Sequence, residues 1–323
     1  MFARIFRRSD LSSFLVGFLI VLAIRLPLEW ISPIELTIDA NAFATLIIQF
    51  TSGSRILSML FGISSLVVTA VIWNYWVNSN KITQSNNSAV FLSFLLLMVL
   101  APDLIYFQPA HLSLLLISFV PGLLFELSLI NDGRSNLFIL GLILSISFIS
   151  FPHSTLWLLA VLFGIVWFKT LNFREFVVFL WGISFPLFTL YTAYFALEKE
   201  SLNPFDISNY GTIAFHGVGE FLSNAFEFYL ILALMLLSIP IYFSILRSNT
   251  VRVRKMLNLL FFTALTFIMA PTIITFANKT YVHMLALPLS LMLSFSIISP
   301  KKLWKSNLFI GFFIITALFL LYT

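Results

Sequence analysis

Residues Leu26–Arg55, LPLEWISPIELTIDANAFATLIIQFTSGSR, interrupt two apolar runs, 11–30 and 56–77, and that interruption decides the fold. Each run has about the twenty residues that a helix rising 1.5 Å per residue needs to cross a hydrocarbon core of about 30 Å. Between them lie Glu29, Glu35 and Asp39, then an amphipathic segment from Ala40 to Phe50 with Asn41, Thr45 and Gln49 on one helical stripe. A span, a polar outer loop and a second span are the repeating grammar of a polytopic membrane protein.

The rest of the chain follows the same grammar. Of its 323 residues 60% are apolar and 10% charged, and the mean hydropathy of +1.03 is far above that of soluble globular domains. The apolar runs are apolar on every face, which excludes the alternation of a strand barrel. Further runs near 89–107, 110–130, 136–151, 154–170, 176–197, 226–246, 255–277, 281–299 and 306–322 give about eleven spans. The expected fold is therefore all-α, one transmembrane helical domain over 1–323, with outer loops at 31–55 and 198–225. The fifth and sixth runs are short and joined only by Phe151, Pro152 and His153, so they read as a tight helical hairpin. No internal repeat marks transporter halves.

Orientation follows from the basic residues. With the N-terminus in the cytoplasm, fourteen of the 18 Lys and Arg fall on the inner side, and only Arg25, Arg55, Lys199 and Lys279 fall outside. The alternation then predicts an outer C-terminus and a bacterial inner-membrane location. The acids Glu29, Glu35, Asp39, Asp103, Glu198, Glu200, Asp206, Glu220 and Glu227, with all four histidines, gather on the outer side, although the rule governing Lys and Arg says little about them. That face is the expected working face; the competing explanation is that longer outer loops simply have room for polar residues. The net charge of +5 reports orientation, and no nucleic-acid reader is visible. The absence of cysteine removes disulfides and thiolate chemistry. The opening MFARIFRRSD resembles a signal n-region without a cleavage site, so the first span is expected to be retained.

Several residues are candidates for chemistry. A carboxylate at Asp39 or Glu35, just outside the first span, suits a general base; Asp39 equally suits the N-cap of a helix beginning at Ala40. Arg25 lies one turn inside the outer end of its span, where an arginine is costly and its planar fork suits a lipid phosphate. Its alternatives are snorkelling or pairing with Glu29. Arg55, Lys279 and His216 are the further outer groups able to hold an anionic substrate, with interfacial anchoring as the structural reading. His216 and Glu220 have helix-ligand spacing, but Gly217 and Gly219 argue against a helix there, and no metal or other cofactor is expected. Asp103 after Pro102, and His111 two residues after Pro109, flank the turn between the third and fourth runs and read as helix caps. The 38 phenylalanines read as lipid-facing bulk.

A basic N-terminus, a span ending Arg25-Leu26-Pro27, an acidic outer loop with one amphipathic helix and a string of short-looped spans resemble the GT-C superfamily of polyprenyl-phosphate-sugar glycosyltransferases. The layout is closer still to an uncharacterised bacterial membrane protein family, carried by Arg55 to Trp76, Ala101-Pro102-Asp103 and the turn before His111. The resemblance covers roughly the first 130 residues. It implies sugar transfer from a polyprenyl phosphate on the outer face, with Asp39 or Glu35 as base and membrane lipid as partner. Two departures are plain: the first outer loop has room for one juxtamembrane helix where the enzymes carry two, and no large outer domain follows the last span. The remaining alternatives are a carrier or flippase for an amphipathic or lipid-linked substrate, and a catalytically silent partner of other membrane proteins.

Overall fold

The computed structural model describes residues 2–31, 55–83, 85–99, 106–129, 132–168, 172–197, 226–273, 282–300 and 303–322; for some helix residues, Arg25 and Arg55 among them, it describes the backbone alone. Every regular element among them is helical. In order these are α1 (Phe2–Phe6), α2 (Leu11–Ile31), α3 (Arg55–Ser79), α4 (Ala89–Val99), α5 (Pro109–Ile117), α6 (Val120–Leu127), α7 (Arg134–Ser150), a 3-10 turn (Pro152–Thr155), α8 (Leu156–Phe168), α9 (Phe173–Leu197), α10 (Phe226–Ser248), α11 (Val251–Ile273), α12 (Val282–Ile298) and α13 (Leu303–Tyr322). Three stretches, Ile56–Ser79, Pro109–Leu127 and Phe173–Ala193, are long and apolar enough to cross a membrane; shorter apolar helices make up most of the rest. Helix is the expected answer for such sequences, because it satisfies every backbone polar group within the segment.

Two apolar runs depart from a single helix, each for a local reason. The third stops as a helix at Val99, and residues 106–108 are non-helical before Pro109 opens α5 at its first position. The fourth breaks at Ser118 and Phe119, between α5 and α6. Pro121 has no N–H for the Ile117 carbonyl, and the Ser118 hydroxyl donates to Leu115 O at 2.6 Å.

The core is the pair α4 and α12. All eleven residues of α4 are buried, and so are residues 284–297 of α12. α2, α3 and α13 pack on α4, while α10, α11 and α13 pack on α12. α5 joins α3 to α7, α6 touches α7 and α8, and α8 lies against α11. α9 is peripheral. It packs on α7, and Phe173, Trp181 and Phe188 stay 81, 64 and 66% exposed.

Polar contacts pin this arrangement. The Trp73 indole donates to Ser290 Oγ at 3.0 Å, joining α3 to α12. Asn74 Oδ1 accepts from Phe91 N at 3.3 Å and Asn87 Oδ1 from Ala89 N at 3.1 Å, so side chains satisfy two of the free amides at the start of α4. Where α7 crosses α9 the backbones touch: a Cβ on Gly141 would strike Phe179 O, and one on Gly182 would strike Phe138 O. The expected hairpin of the fifth and sixth runs is not packed as one. α7 leans on α9 and α5, α8 on α11 and α6, and the two diverge from the 3-10 turn between them.

Candidate functional site

The two ends of the bundle differ in chemistry, and contacts identify them without reference to any rule about charge. At one end the N-terminal arm is clamped: Ser88 N donates to Phe6 O at 3.0 Å and Ser88 Oγ to Arg8 O at 2.9 Å. Arg7 Nη2 donates to Pro300 O at 2.6 Å, Ser306 Oγ at 3.1 Å and Ile297 O at 3.3 Å. The arm therefore ties the α3–α4 turn to the α12–α13 turn. At the foot of α3, the Trp76 ring lies on Gly122 of α6. From α6, Glu126 Oε2 accepts from Asn136 Nδ2 of α7 at 3.2 Å, and Phe125 receives Arg252. That guanidinium donates to Phe125 O at 3.0 Å and stacks 3.9 Å from its ring centroid. Lys255 reaches Trp167 O at the end of α8, at 3.3 Å.

This end thus gathers Arg7, Arg8, Lys81, Arg134, Arg247, Arg252, Lys255 and Lys305. Desolvation lowers Arg252 from its ordinary value, but an arginine stays charged near neutral pH. Arg134 meets Asp132 at 3.4 Å in an exposed pair, worth little to stability. With Arg174 and Glu175 it flanks an open recess of about 440 Å³.

The opposite end is where α2 finishes and α3 begins. α2 starts beside the clamped arm and α3 ends at the Asn78 turn, so the end of α2 and the start of α3, which flank the acidic stretch in sequence, lie far from the basic end. Asp39, Glu35, His216 and Lys279 lie outside the described residues, as does the Ala40–Phe50 segment. The backbones of Arg25 and Arg55 are described, in the last third of α2 and at the first residue of α3.

One turn beyond Arg55, Ser58 O accepts from Phe107 N at 3.1 Å, and Ser58 Oγ lies 3.2 Å from the same amide. Phe107 in turn faces His111 with ring centroids 5.6 Å apart. The structure thus brings Arg55 and His111 to neighbouring helix starts. His111 is buried and its Nδ1 accepts from Gln108 N at 3.1 Å inside a capping box, the capping role expected of it. A nitrogen engaged this way does not accept a substrate proton. Asp103 lies outside the described residues.

Among the described residues no group of three His, Cys, Asp or Glu is arranged to hold a metal. Sequence reasoning missed the arm clamp, whose only local signal was Arg7 after a buried phenylalanine. It also missed the hydroxyl cluster at the top of α7, visible as four serines in Ser145–Ser154.

Residues 31–323 match DUF6427, a family of unknown function. The chain belongs to this family. No curated protein and no solved structure matches it. The DUF6427 match opens at the last residue of α2, so Glu35, Asp39 and Arg55 fall inside it and Arg25 outside.

Proposed function

We propose that this DUF6427 chain is a multi-pass inner-membrane protein that crosses the bilayer eleven times and transfers a sugar from a polyprenyl phosphate to an acceptor on the outer face. The observation that supports the reading is the sorting of helix ends: contacts alone collect the basic turns at one end, and the helices that flank the acidic stretch in sequence, α2 and α3, finish and begin at the other. In the reaction Asp39 or Glu35 removes the acceptor hydroxyl proton as its oxygen bonds the anomeric carbon. The bond from that carbon to the phosphate oxygen breaks, and its electrons leave with the polyprenyl phosphate. Arg25 holds the phosphate by its bidentate fork.

The brevity of the first outer loop favours a second reading, a catalytically silent membrane partner. A carrier is the third; it would draw on polar groups inside the bundle. The test is sugar transfer in membranes supplied with a polyprenyl-phosphate sugar. The parent should form product, and Asp39→Asn with Glu35→Gln should lose about 10²–10⁴-fold, since neither amide accepts a proton. Product formation undiminished in the folded double variant removes the base assignment. A parent without product leaves the silent partner.

A further inference from the structure

Because α7 and α8 diverge from the 3-10 turn, a crevice of about 190 Å³ opens between them, closed on its third side by α9. Leu144, Phe148, Leu158, Ile183 and Leu187 give it apolar walls, and Ser145 and Ser154 also line it. Both serines are 2% exposed, and neither hydroxyl has a hydrogen-bond partner. Some helical serines of this bundle bond a carbonyl one turn back, as Ser118, Ser238, Ser290 and Ser294 do, and others such as Ser93, Ser113, Ser147 and Ser296 do not; Ser145 and Ser154 are the unpartnered ones that line this crevice. Thr155, at the rim, is satisfied by Pro152 O at 2.5 Å. A buried hydroxyl without a partner is costly, by about 1–3 kcal/mol for its lost solvation. Two in one apolar crevice ask for an acceptor that arrives with an apolar body.

We infer that this crevice binds one acyl chain of a membrane glycerolipid, its ester carbonyl accepting hydrogen bonds from Ser145 and Ser154. The size fits: the volume of about 190 Å³ is below the roughly 300–1,000 Å³ of sites for drug-sized ligands, so the crevice takes the ester end of a chain and leaves the rest in lipid. Location fits as well. The 3-10 turn is the end of α7 remote from the basic cluster, at the level where a bilayer gives way to its ester and headgroup layer. The adjoining face of α9 is exposed and apolar, so a chain enters sideways from lipid. The site stands apart from the glycosyl-transfer reading and does not depend on it.

The test uses the full-length protein in nanodiscs containing a phosphatidylethanolamine with a diazirine near the ester of one acyl chain. After irradiation, peptide mapping should find label concentrated on Leu144, Phe148, Leu158 and Leu187. Ser145→Ala with Ser154→Ala should cut that label about tenfold, the equivalent of two modest hydrogen bonds, while leaving label on the outer face of α9 unchanged. The same variant in lipid-free detergent should melt no lower than the parent, since it removes two unpaired hydroxyls. An ether-linked analogue lacking the carbonyl should label the crevice as weakly as the double variant does. Label spread evenly over α9, or crevice label indifferent to the two serines or to the ether analogue, overturns the assignment. So does a diazirine fatty acid that labels the crevice where the diacyl lipid does not.

Discussion

Arg7 shows how much one side chain can organise. Its Nη2 reaches Ile297 O in the last turn of α12, Pro300 O in the turn that follows and Ser306 Oγ in the first turns of α13, and a cation at a helix C-terminus is favoured by the dipole. Arg7→Met should lower stability by about 1.5–3 kcal/mol, the range for hydrogen bonds from a charged donor, and Arg7→Lys should recover part of it. Thermal melting of the three proteins in one detergent checks this; equal midpoints would make the clamp incidental. Arg25 poses a different question. If it holds a phosphate, added polyprenyl phosphate should raise the melting point of the parent and raise that of Arg25→Gln much less, since a ligand for the folded state stabilises it by mass action. If it only pairs with Glu29, Arg25→Gln should melt lower with no change in the lipid-induced shift. His111 was legible from sequence as a cap because Pro109 fixes the helix start beside it. Arg7 was not, since its partners are about 290 residues away in sequence.

Helices were the legible level of this fold, because a twenty-residue apolar run admits no other way to satisfy its backbone. Each apolar run carries helix, and the departures sit at prolines: Pro109, Pro121 and Pro152 mark the start of α5, the α5–α6 break and the 3-10 turn. What sequence left hidden is which helices touch. Phe173–Ala193 reads as one more lipid-exposed span, yet Gly182 is buried against Gly141 so closely that backbone meets backbone. Gly141→Ala and Gly182→Ala should each destabilise the protein by about 1–3 kcal/mol, since overpacking at a backbone contact cannot be relieved by a rotamer change. Gly311 is the control. Nothing lies within 4 Å of a Cβ there, so Gly311→Ala in α13 should be neutral or stabilising by up to about 1 kcal/mol from helix propensity. Unfolding of the three variants in one detergent separates the cases, and equal losses at 141 and 311 would deny the close crossing.

At the scale of the molecule, the contact pattern and the charge alternation agree on one coarse point: the basic turns share one end of the helical bundle. Arg252 at the start of α11 stacks on Phe125 at the end of α6, so the turns containing Arg134 and Arg252 share one end of the bundle. In the proposed eleven-span topology, losing a single span between them would put these two basic turns on opposite sides, which that contact opposes. α13 begins where Arg7 holds Ser306 and runs twenty residues away, about 30 Å at 1.5 Å per residue, so its far end lies opposite the basic cluster. Reporter fusions after residues 134 and 252 should therefore be active only as cytoplasmic reporters, and a fusion after Thr323 only as an outer one. A cytoplasmic Thr323 with both other fusions as expected would confine the error to the segment beyond Arg252, where α11, α12 and α13 would have to cross an even number of times. In that case Arg7 and Ser306 could not meet at the basic end with α13 spanning outward, and Arg7→Met would leave the melting point unchanged.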